Sequence, residues 1–411
     1  MMNVQFISND WVMNFGMVLF FLVFSMLFLV FIVIIKSFFI KKKYKSFEPE
    51  ISVIIPAYNE EKNIKNCLNS IFKSNYDKEK IEIICVDDGS KDNTLKILEK
   101  IKDIKLINSV HKGKSHALNL GIKQSKYDYV LTVDADTVLH KNFIKEIIRP
   151  FSNKKVGATN GIILIKNPKK VIEHFQKIEY NLNNLIRYSF SKVFNNGIWF
   201  FGAAACFNKK ILEKTGLFQK NMLTEDMDMS LKIFELGYDV LTVKAPYYTN
   251  ACNNLIGLFR QRMRWFFGGL QCSVKYRRLF KKSFAISFLL FNQFFWAVFS
   301  ILIFPLLIYQ IKYWLPAGFP AILSYLFRWF SIFGPIYVLY KLPVWGLSFI
   351  NIFGVLAGII TALMILISIK YFKEKLTIQD ILVIIFYFPY TLLLNLSLIM
   401  SLFNYILYHK T

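Results

Sequence analysis

Cysteine is scarce and unpatterned in this chain. Its five copies, at 67, 85, 206, 252 and 272, form no CxxC pair and no metal-binding spacing with histidine. That excludes a disulfide framework and a thiolate zinc site, and leaves reduced, mostly buried thiols. Acidic residues are also short, 27 against 51 lysines and arginines, giving a net charge of +24. The excess fits a lysine-rich genome composition, and it fits attraction to anionic lipid and to a diphosphate. No recognised nucleic-acid-binding module accompanies it, so nucleic acid is not an expected partner. Charge is missing altogether from Phe15 to Ile35. Such a run of ~20 residues matches the ~30 Å core of a bilayer. It is too long for a signal-peptide core and no small-residue cleavage site follows, so a retained anchor is expected.

What the chain has in abundance is apolar surface. Hydrophobic residues make up 55% of it and 42 are phenylalanine, more than a soluble domain of this length needs. Further candidate spans are Phe284–Tyr309, Phe319–Tyr340, Gly346–Ile369 and Ile381–Leu407. Pro320, Arg328 and Pro335 interrupt the second of these, which is therefore read as re-entrant or interfacial, leaving three or four C-terminal spans. The expected plan is an N-terminal transmembrane helix (13–36), a soluble domain (48–252), amphipathic interface helices (253–282) and a membrane bundle (284–408). Lys36, Lys41, Lys42, Lys43 and Lys45 follow the first anchor, and only Asp10 precedes it. Lys275, Arg277, Arg278, Lys281 and Lys282 precede the next span. Basic flanks stay cytoplasmic, which places the N-terminus outside and the soluble domain inside, in a multi-pass protein of the cell membrane.

Within the soluble segment, ISVIIP (Ile51–Pro56), IEIICV (Ile81–Val86) and YVLTV (Tyr129–Val133) are short apolar runs, with helix-like stretches such as Glu61–Phe72 and Asn93–Ile101 between them. The alternation predicts an α/β domain with a parallel sheet covered by helices on both faces. Ligands of such sheets bind beyond the C-terminal strand ends. Each run ends in polar residues there: Tyr58-Asn59-Glu60, Asp87-Asp88-Gly89 and Asp134-Ala135-Asp136.

The chemistry follows from those residue types, although turns and helix caps use the same ones. After Pro56, Tyr58 can stack on a base and Glu60 can bind a ribose or base edge. Asp88 can accept a hydrogen bond from uracil, with Gly89 permitting close approach. Lys114, in His111-Lys112-Gly113-Lys114, sits unfavourably at a helix N-terminus unless a diphosphate offsets it. Asp134 and Asp136, two apart on an extended segment, point the same way and repel unless a cation lies between them. Mg²⁺ or Mn²⁺ suits carboxylates plus phosphate oxygens. Asp226, in Thr224-Glu225-Asp226-Met227-Asp228, can deprotonate a hydroxyl. Gln261-Arg262-Met263-Arg264-Trp265 lies in Leu255–Phe280, whose interleaved apolar and basic residues predict an amphipathic helix at the membrane surface. Arginine there can hold a diphosphate and Trp265 can stack on a sugar ring.

In that order the motifs resemble family 2 glycosyltransferases of the membrane-embedded processive branch, over nearly the whole chain. Within the branch the likeness is greatest to the poly-β-1,6-N-acetylglucosamine synthases. It rests on Asp134-Ala135-Asp136-Thr137, Gln176-Lys177-Ile178-Glu179-Tyr180-Asn181 and Leu223-Thr224-Glu225-Asp226-Met227-Asp228-Met229-Ser230. The resemblance implies a GT-A type domain between a transmembrane helix and a multi-span bundle. It also implies inverting transfer from a UDP-sugar, such as UDP-GlcNAc, to a growing β-glycan. Asp226 would be the general base. Pro56, Tyr58, Glu60, Asp88, Lys114 and Asp134 would bind the donor, and Asp136 the metal. Glu225, Gln261, Arg264 and Trp265 would hold diphosphate and acceptor. Phe201-Gly202-Ala203-Ala204-Ala205 stands where relatives often carry a Ser-Gly or Cys-Gly step, which leaves acceptor and linkage open. Another UDP-sugar, or single transfer to a lipid acceptor, is the alternative. The branch also leaves room for a small membrane accessory subunit.

Overall fold

Residues 51, 53, 55 and 57 pack into one apolar cluster and Ile54 into another, so the first strand is buried on both faces. The computed structural model describes residues 10–197, 199–313, 315–345 and 349–408. Along the soluble part run β1 (Ile51–Ala57), α2 (Ile64–Phe72), β2 (Ile81–Asp87), α3 (Thr94–Leu98), β3 (Lys105–Asn108), α4 (Lys114–Gln124) and β4 (Tyr129–Val133). Then come β5 (Val138–Leu139), α5 (Phe143–Ile148), β6 (Val156–Ile165), α6 (Val171–Phe194), β7 (Ala204–Asn208), α7 (Lys209–Lys214), α8 (Glu225–Glu235) and β8 (Asp239–Thr249). Helix α1 (Asp10–Phe39) precedes them. Cys67, Leu68 and Ile71 of α2 and Phe143 to Ile148 of α5 cover one sheet face. Ala117 and Ile122 of α4, Leu212 of α7, and Met229 and Ile233 of α8 cover the other.

The sheet order is β3-β2-β1-β4-β7-β6-β8-β5. Strands β3, β2, β1 and β4 are parallel, as the sequence predicts. Two strands depart from that expectation: β7 runs antiparallel to both β4 and β6, and β5 antiparallel to β8, while β6 and β8 pair in parallel. The reversal has a consequence for function. Val133 pairs with Ala204, so the start of β7 lies beside the end of β4, and the Asp134 amide donates to the Ala203 carbonyl at 2.9 Å. The Phe201-Gly202-Ala203 loop thereby reaches the edge where the carboxylate loops converge.

After the sheet come α9 (Leu255–Lys275), α10 (Phe284–Tyr313), α11 (Phe319–Phe330), α12 (Gly334–Trp345), α13 (Phe349–Phe372), α14 (Ile378–Ile385) and α15 (Phe388–Tyr408). Among the described residues, four helical segments are long and apolar enough to cross a membrane: Asn14–Phe39, Phe284–Tyr309, Ile352–Phe372 and Phe388–Leu407. The run Phe319–Tyr340 divides into α11 and α12, each of 12 residues. At 1.5 Å per residue each is about 18 Å long, too short to span alone. Pro320 and Pro335 fall in their first turns, where proline is tolerated. Ile381–Leu407 is likewise broken at Phe386-Tyr387, two residues ahead of Pro389. The first three residues of Gly346–Ile369 lie outside the described residues.

Helix α6 joins the two halves. Its Leu185, Ile186 and Phe190 cluster with Met26 and Ile34 of α1, Met227 of α8, Leu289 of α10 and Met364 of α13. Ile178 clusters with Leu258 of α9, Ile365 of α13, Val383 of α14 and Tyr390 of α15.

Candidate active site

The ends of β1, β2 and β4 and the start of β7 share one edge. At β2, Asp88 is almost fully buried, and its two carboxylate oxygens accept the Lys112 and Gly113 amides at 2.9 and 2.8 Å. His111 Nδ1 lies 2.9 Å from the same carboxylate. Gly89, at φ +73°, makes the turn possible: a Cβ there would sit 2.8 Å from the His111 nitrogen. The His111 ring stacks on Tyr58 at 4.1 Å. Asp88 thus holds the 111–113 loop over the end of β1 and sets the entry of α4, a role the sequence did not suggest. Glu60 accepts from Asn63 Nδ2 at 2.8 Å, and its carbonyl accepts the Asn63 and Ile64 amides at 3.0 Å in the turn that leads into α2.

Lys114, the first residue of α4, lies 2.6 Å from Asp134 Oδ1 and 3.4 Å from Glu225 Oε1. Its ammonium is only partly buried, and the Asp134 and Glu225 carboxylates outweigh desolvation to hold its pKa above the usual value. The sequence assigned the offset of the unfavourable helix dipole to a diphosphate; here two carboxylates supply it. Asp136 has no such partner among the described residues. Its oxygens make only 3.5 Å contacts with the Thr137 and Thr249 hydroxyls. Burial first, then Asp134 and Glu60, push its pKa to about 6. No group of three or more His, Cys, Asp or Glu side chains is preassembled around a metal position among the described residues. A buried, crowded carboxylate without a cation is what a hard divalent ion would relieve, and such ions commonly take one or two carboxylates with the remaining positions left to phosphate and water. The residues fit the ion in that sense.

Asp226 stands in the first turn of α8. Oδ1 accepts from the Met227 amide at 2.8 Å and Oδ2 from the Gly202 amide at 2.7 Å. A side chain at position 202 would bring its Cβ within 2.5 Å of the Asp226 Cβ, so glycine permits the approach. Burial and the neighbouring Glu225 carboxylate raise the Asp226 pKa. Thr224, the N-cap residue, makes no capping hydrogen bond. Gly268 of α9 packs against it, with room for no Cβ: 2.6 Å to the Thr224 side chain.

Within α9, Trp265 is half-buried and stacks on Phe201 with ring centroids 6.2 Å apart. Gln261 is half-buried too, whereas Arg264 is exposed and makes no hydrogen bond or ion pair among the described residues. The sequence passed over three residues that hold this arrangement. Arg262 is fully buried and pairs with Glu179 of α6. Arg187 of α6, also fully buried, lies 3.9 Å over the Phe201 ring. Asp228 is buried between Lys275, Lys232 and the Tyr276 hydroxyl, tying α8 to α9. No local signal marks them: the buried side of α6 that carries Arg187 and Glu179 mixes polar and apolar residues, with His174, Gln176, Asn181 and Asn184 on it.

Comparison with known proteins bears on this geometry. Residues 52–216 match the model of glycosyl transferase family 2. The chain is 32% identical over 243 residues to a poly-β-1,6-N-acetyl-D-glucosamine synthase of Staphylococcus epidermidis, covering 57% of this chain and 58% of that protein. It is 32% identical over 254 residues to the synthase of the same description from Staphylococcus aureus, covering 59% and 60%. The matches thus span about three-fifths of the length of these relatives. Among solved structures, a mannosyltransferase from Pyrobaculum calidifontis, determined in complex with GDP-Man and Mn²⁺, superposes with a TM-score of 0.62 at 21% identity, over 85% of this chain and 98% of that one. That likeness gives the fold as GT-A-like, an α/β domain flanked by apolar helices. The family 2 match thus runs from β1 to the residues just after α7.

Proposed function

We propose that the protein is an inverting membrane glycosyltransferase that moves N-acetylglucosamine from UDP-GlcNAc to a growing β-linked polysaccharide, which its bundle carries across the bilayer. The observation that carries this reading is the placing of Asp226. Its carboxylate is fixed by the Gly202 amide, and the same loop carries Phe201 to Trp265. Lys114, Glu225 and Asp134 form a linked charge cluster beside it.

In this reading Asp226 takes the proton of the acceptor hydroxyl. The hydroxyl oxygen bonds to the anomeric carbon while the bond from that carbon to the diphosphate breaks, and UDP leaves. In-line attack on an α-linked donor yields a β bond. The raised pKa makes Asp226 a better base near neutral pH than an exposed aspartate. Pro56, Tyr58, Glu60 and Asp88 serve the nucleoside, with Asp88 shaping the pocket through the 111–113 loop. Lys114, Glu225 and Asp134 serve the donor diphosphate. Gln261, Arg264 and Trp265 serve diphosphate and acceptor, and the exposed, unpaired Arg264 has its guanidinium free for phosphate. Asp136, with Asp134, would hold Mg²⁺ or Mn²⁺, which supplies charge neutralisation for the departing diphosphate.

The organisation that goes with this is a membrane helix at 13–36, a cytoplasmic transferase domain at 48–252, interface helices at 253–282 and a bundle at 284–408. Spans by α1, α10, α13 and α15 put Lys370, Lys373 and Lys375 on the same side as the soluble domain. Contacts support that parity: Lys177 donates to the Lys375 carbonyl at 2.9 Å, and Lys244 to the Tyr371 carbonyl at 3.1 Å. The test is UDP release from UDP-GlcNAc by the purified full chain with Mg²⁺ or Mn²⁺, with the product sized. A ladder of β-linked oligomers supports the reading. A single lipid-linked product replaces polymer synthesis with single transfer, and no release from any UDP-sugar sinks both.

A further inference from the structure

The first arginine of Gln261-Arg262-Met263-Arg264-Trp265 faces away from solvent. Successive residues on a helix are about 100° apart. Across the surface of α9 the order is therefore Arg264, Gln261, Trp265, Arg262, with Arg262 at the buried margin. Its guanidinium is a filled fork. Nε donates to Glu179 Oε1 at 3.1 Å, Nη2 to Glu179 Oε2 at 2.6 Å and Nη1 to Gln261 Oε1 at 2.5 Å. The planar face lies 4.3 Å from the Trp265 ring and 5.5 Å from Tyr180. One side chain thus fixes both its motif neighbours: Gln261 by a hydrogen bond and Trp265 by its ring face.

The anchor of this fork is shared with the membrane bundle. Glu179 Oε2 also accepts from the Tyr390 hydroxyl, in the first turn of α15, at 2.5 Å. Farther along, the Ser401 hydroxyl of α15 donates to the Met263 carbonyl at 3.1 Å. On the other side, Trp265 stacks on Phe201, whose neighbour Gly202 donates to Asp226. Arg187 also lies over the Phe201 ring. A continuous line of contacts therefore runs from a spanning helix through Glu179, Arg262, Trp265 and the Phe201-Gly202 loop to Asp226.

We propose that Arg262 is a positioning residue, held by Glu179 and Tyr390, which sets the ring plane of Trp265, so that helix α15 controls how the acceptor sugar is presented to Asp226. The proposal rests on the glycosyltransferase reading above. It does not need Arg262 to touch substrate. A fork of this kind suits the task because guanidinium and carboxylate fix each other's plane as well as their distance. Contact continuity alone is not coupling, so the test must measure coupling.

The experiment uses the full chain in detergent or nanodiscs, UDP-GlcNAc as donor, and β-linked N-acetylglucosamine oligomers of defined length as acceptor. Tyr390→Phe removes one hydroxyl and leaves the ring, so it preserves packing. The expected result is an acceptor KM raised roughly fivefold to tenfold, the loss of a single charge-assisted hydrogen bond. Donor KM should stay as in the wild type, while Tm falls modestly with the lost hydrogen bond. In a Trp265→Ala background, Tyr390→Phe should have no further effect. Glu179→Gln, which keeps shape but weakens the fork, should repeat the acceptor-specific loss. Equal losses in donor and acceptor KM, or additive effects with Trp265→Ala, would overturn the proposal. Should the wild type release no UDP, the functional reading fails separately. Hydrogen exchange then decides: Tyr390→Phe should speed amide exchange at residues 261–267 above the rest of α9, and unchanged exchange there overturns the proposal.

Discussion

The carboxylate edge and the seam between α6, α9, α14 and α15 hold polar groups in opposite ways. At the edge most partners are near in sequence: Asp88 with Lys112 and Gly113, and Asp226 with Gly202, are 24 or 25 positions apart, Lys114 and Glu225 being the exception. Like charges are crowded there, and Asp136 makes no ion pair among the described residues. In the seam the partners are remote: Glu179 is 83 positions from Arg262 and 211 from Tyr390, and His174 is 206 from Asp380. There the charges are closely matched. Arg262 fills Glu179, and Asp380 is shared by His174 at 2.7 Å and Lys177 at 2.8 Å. The edge is left electrostatically unfinished, as a site that receives an ion and a diphosphate must be. The seam is finished, as a joint must be.

The largest effect that would separate the two comes from opening the seam. Arg262→Met leaves Glu179 buried without its cation and should cost about 3–5 kcal/mol of stability. Thermal or denaturant unfolding in detergent reads it, and a loss below 1 kcal/mol would mean water already reaches the pair. Next is Gly202→Ala, whose Cβ would press on Asp226. Displacing a catalytic group by about 1 Å can cost on the order of 100-fold in turnover. The kcat should fall that far while donor KM holds, and an unchanged kcat would break the link between this loop and Asp226.

Smaller and more diagnostic is pH. Since the Asp226 pKa is raised and a base must be ionised, turnover should fall as pH drops through that raised value. The slope should approach about tenfold per unit. A flat profile down to the ordinary carboxylate range near 4 would exclude Asp226 as the titrating base. The smallest effect is on the metal-free protein. Asp136 has a folded pKa of about 6, above its unfolded value, so its ionisation costs stability as pH rises through the window between them. Asp136→Asn should therefore raise stability at pH 7.5 by on the order of 1–2 kcal/mol in chelator. The gain should vanish below pH 4 and be matched by the wild type when Mn²⁺ is added. Identical Tm values in chelator would remove the argument for a cation there.

How much of this was legible in the sequence divides along the same line. Asp134-Ala135-Asp136 could be read because it ends a continuous apolar run, and Tyr58, Glu60 and Asp88 because they end two others. The direction of β7 could not: Ala204–Asn208 is a five-residue strand whose pairing is settled by long-range packing. That Lys114 pairs with Asp134 and Glu225 could not be read either, because they lie 20 and 111 positions away and no local pattern announces them. Two arginines in one short motif look alike on paper. Which one faces in depends on Glu179, a residue of another helix, and only the packed structure pairs them.

The most direct test of the account is UDP release from UDP-GlcNAc by the purified full chain, compared with Asp226→Asn. The account predicts turnover that needs Mg²⁺ or Mn²⁺ and falls by roughly 100- to 10,000-fold in the variant, the range for loss of a general base. Turnover that survives in Asp226→Asn would contradict the assignment of the base, and with it the reading of the carboxylate edge.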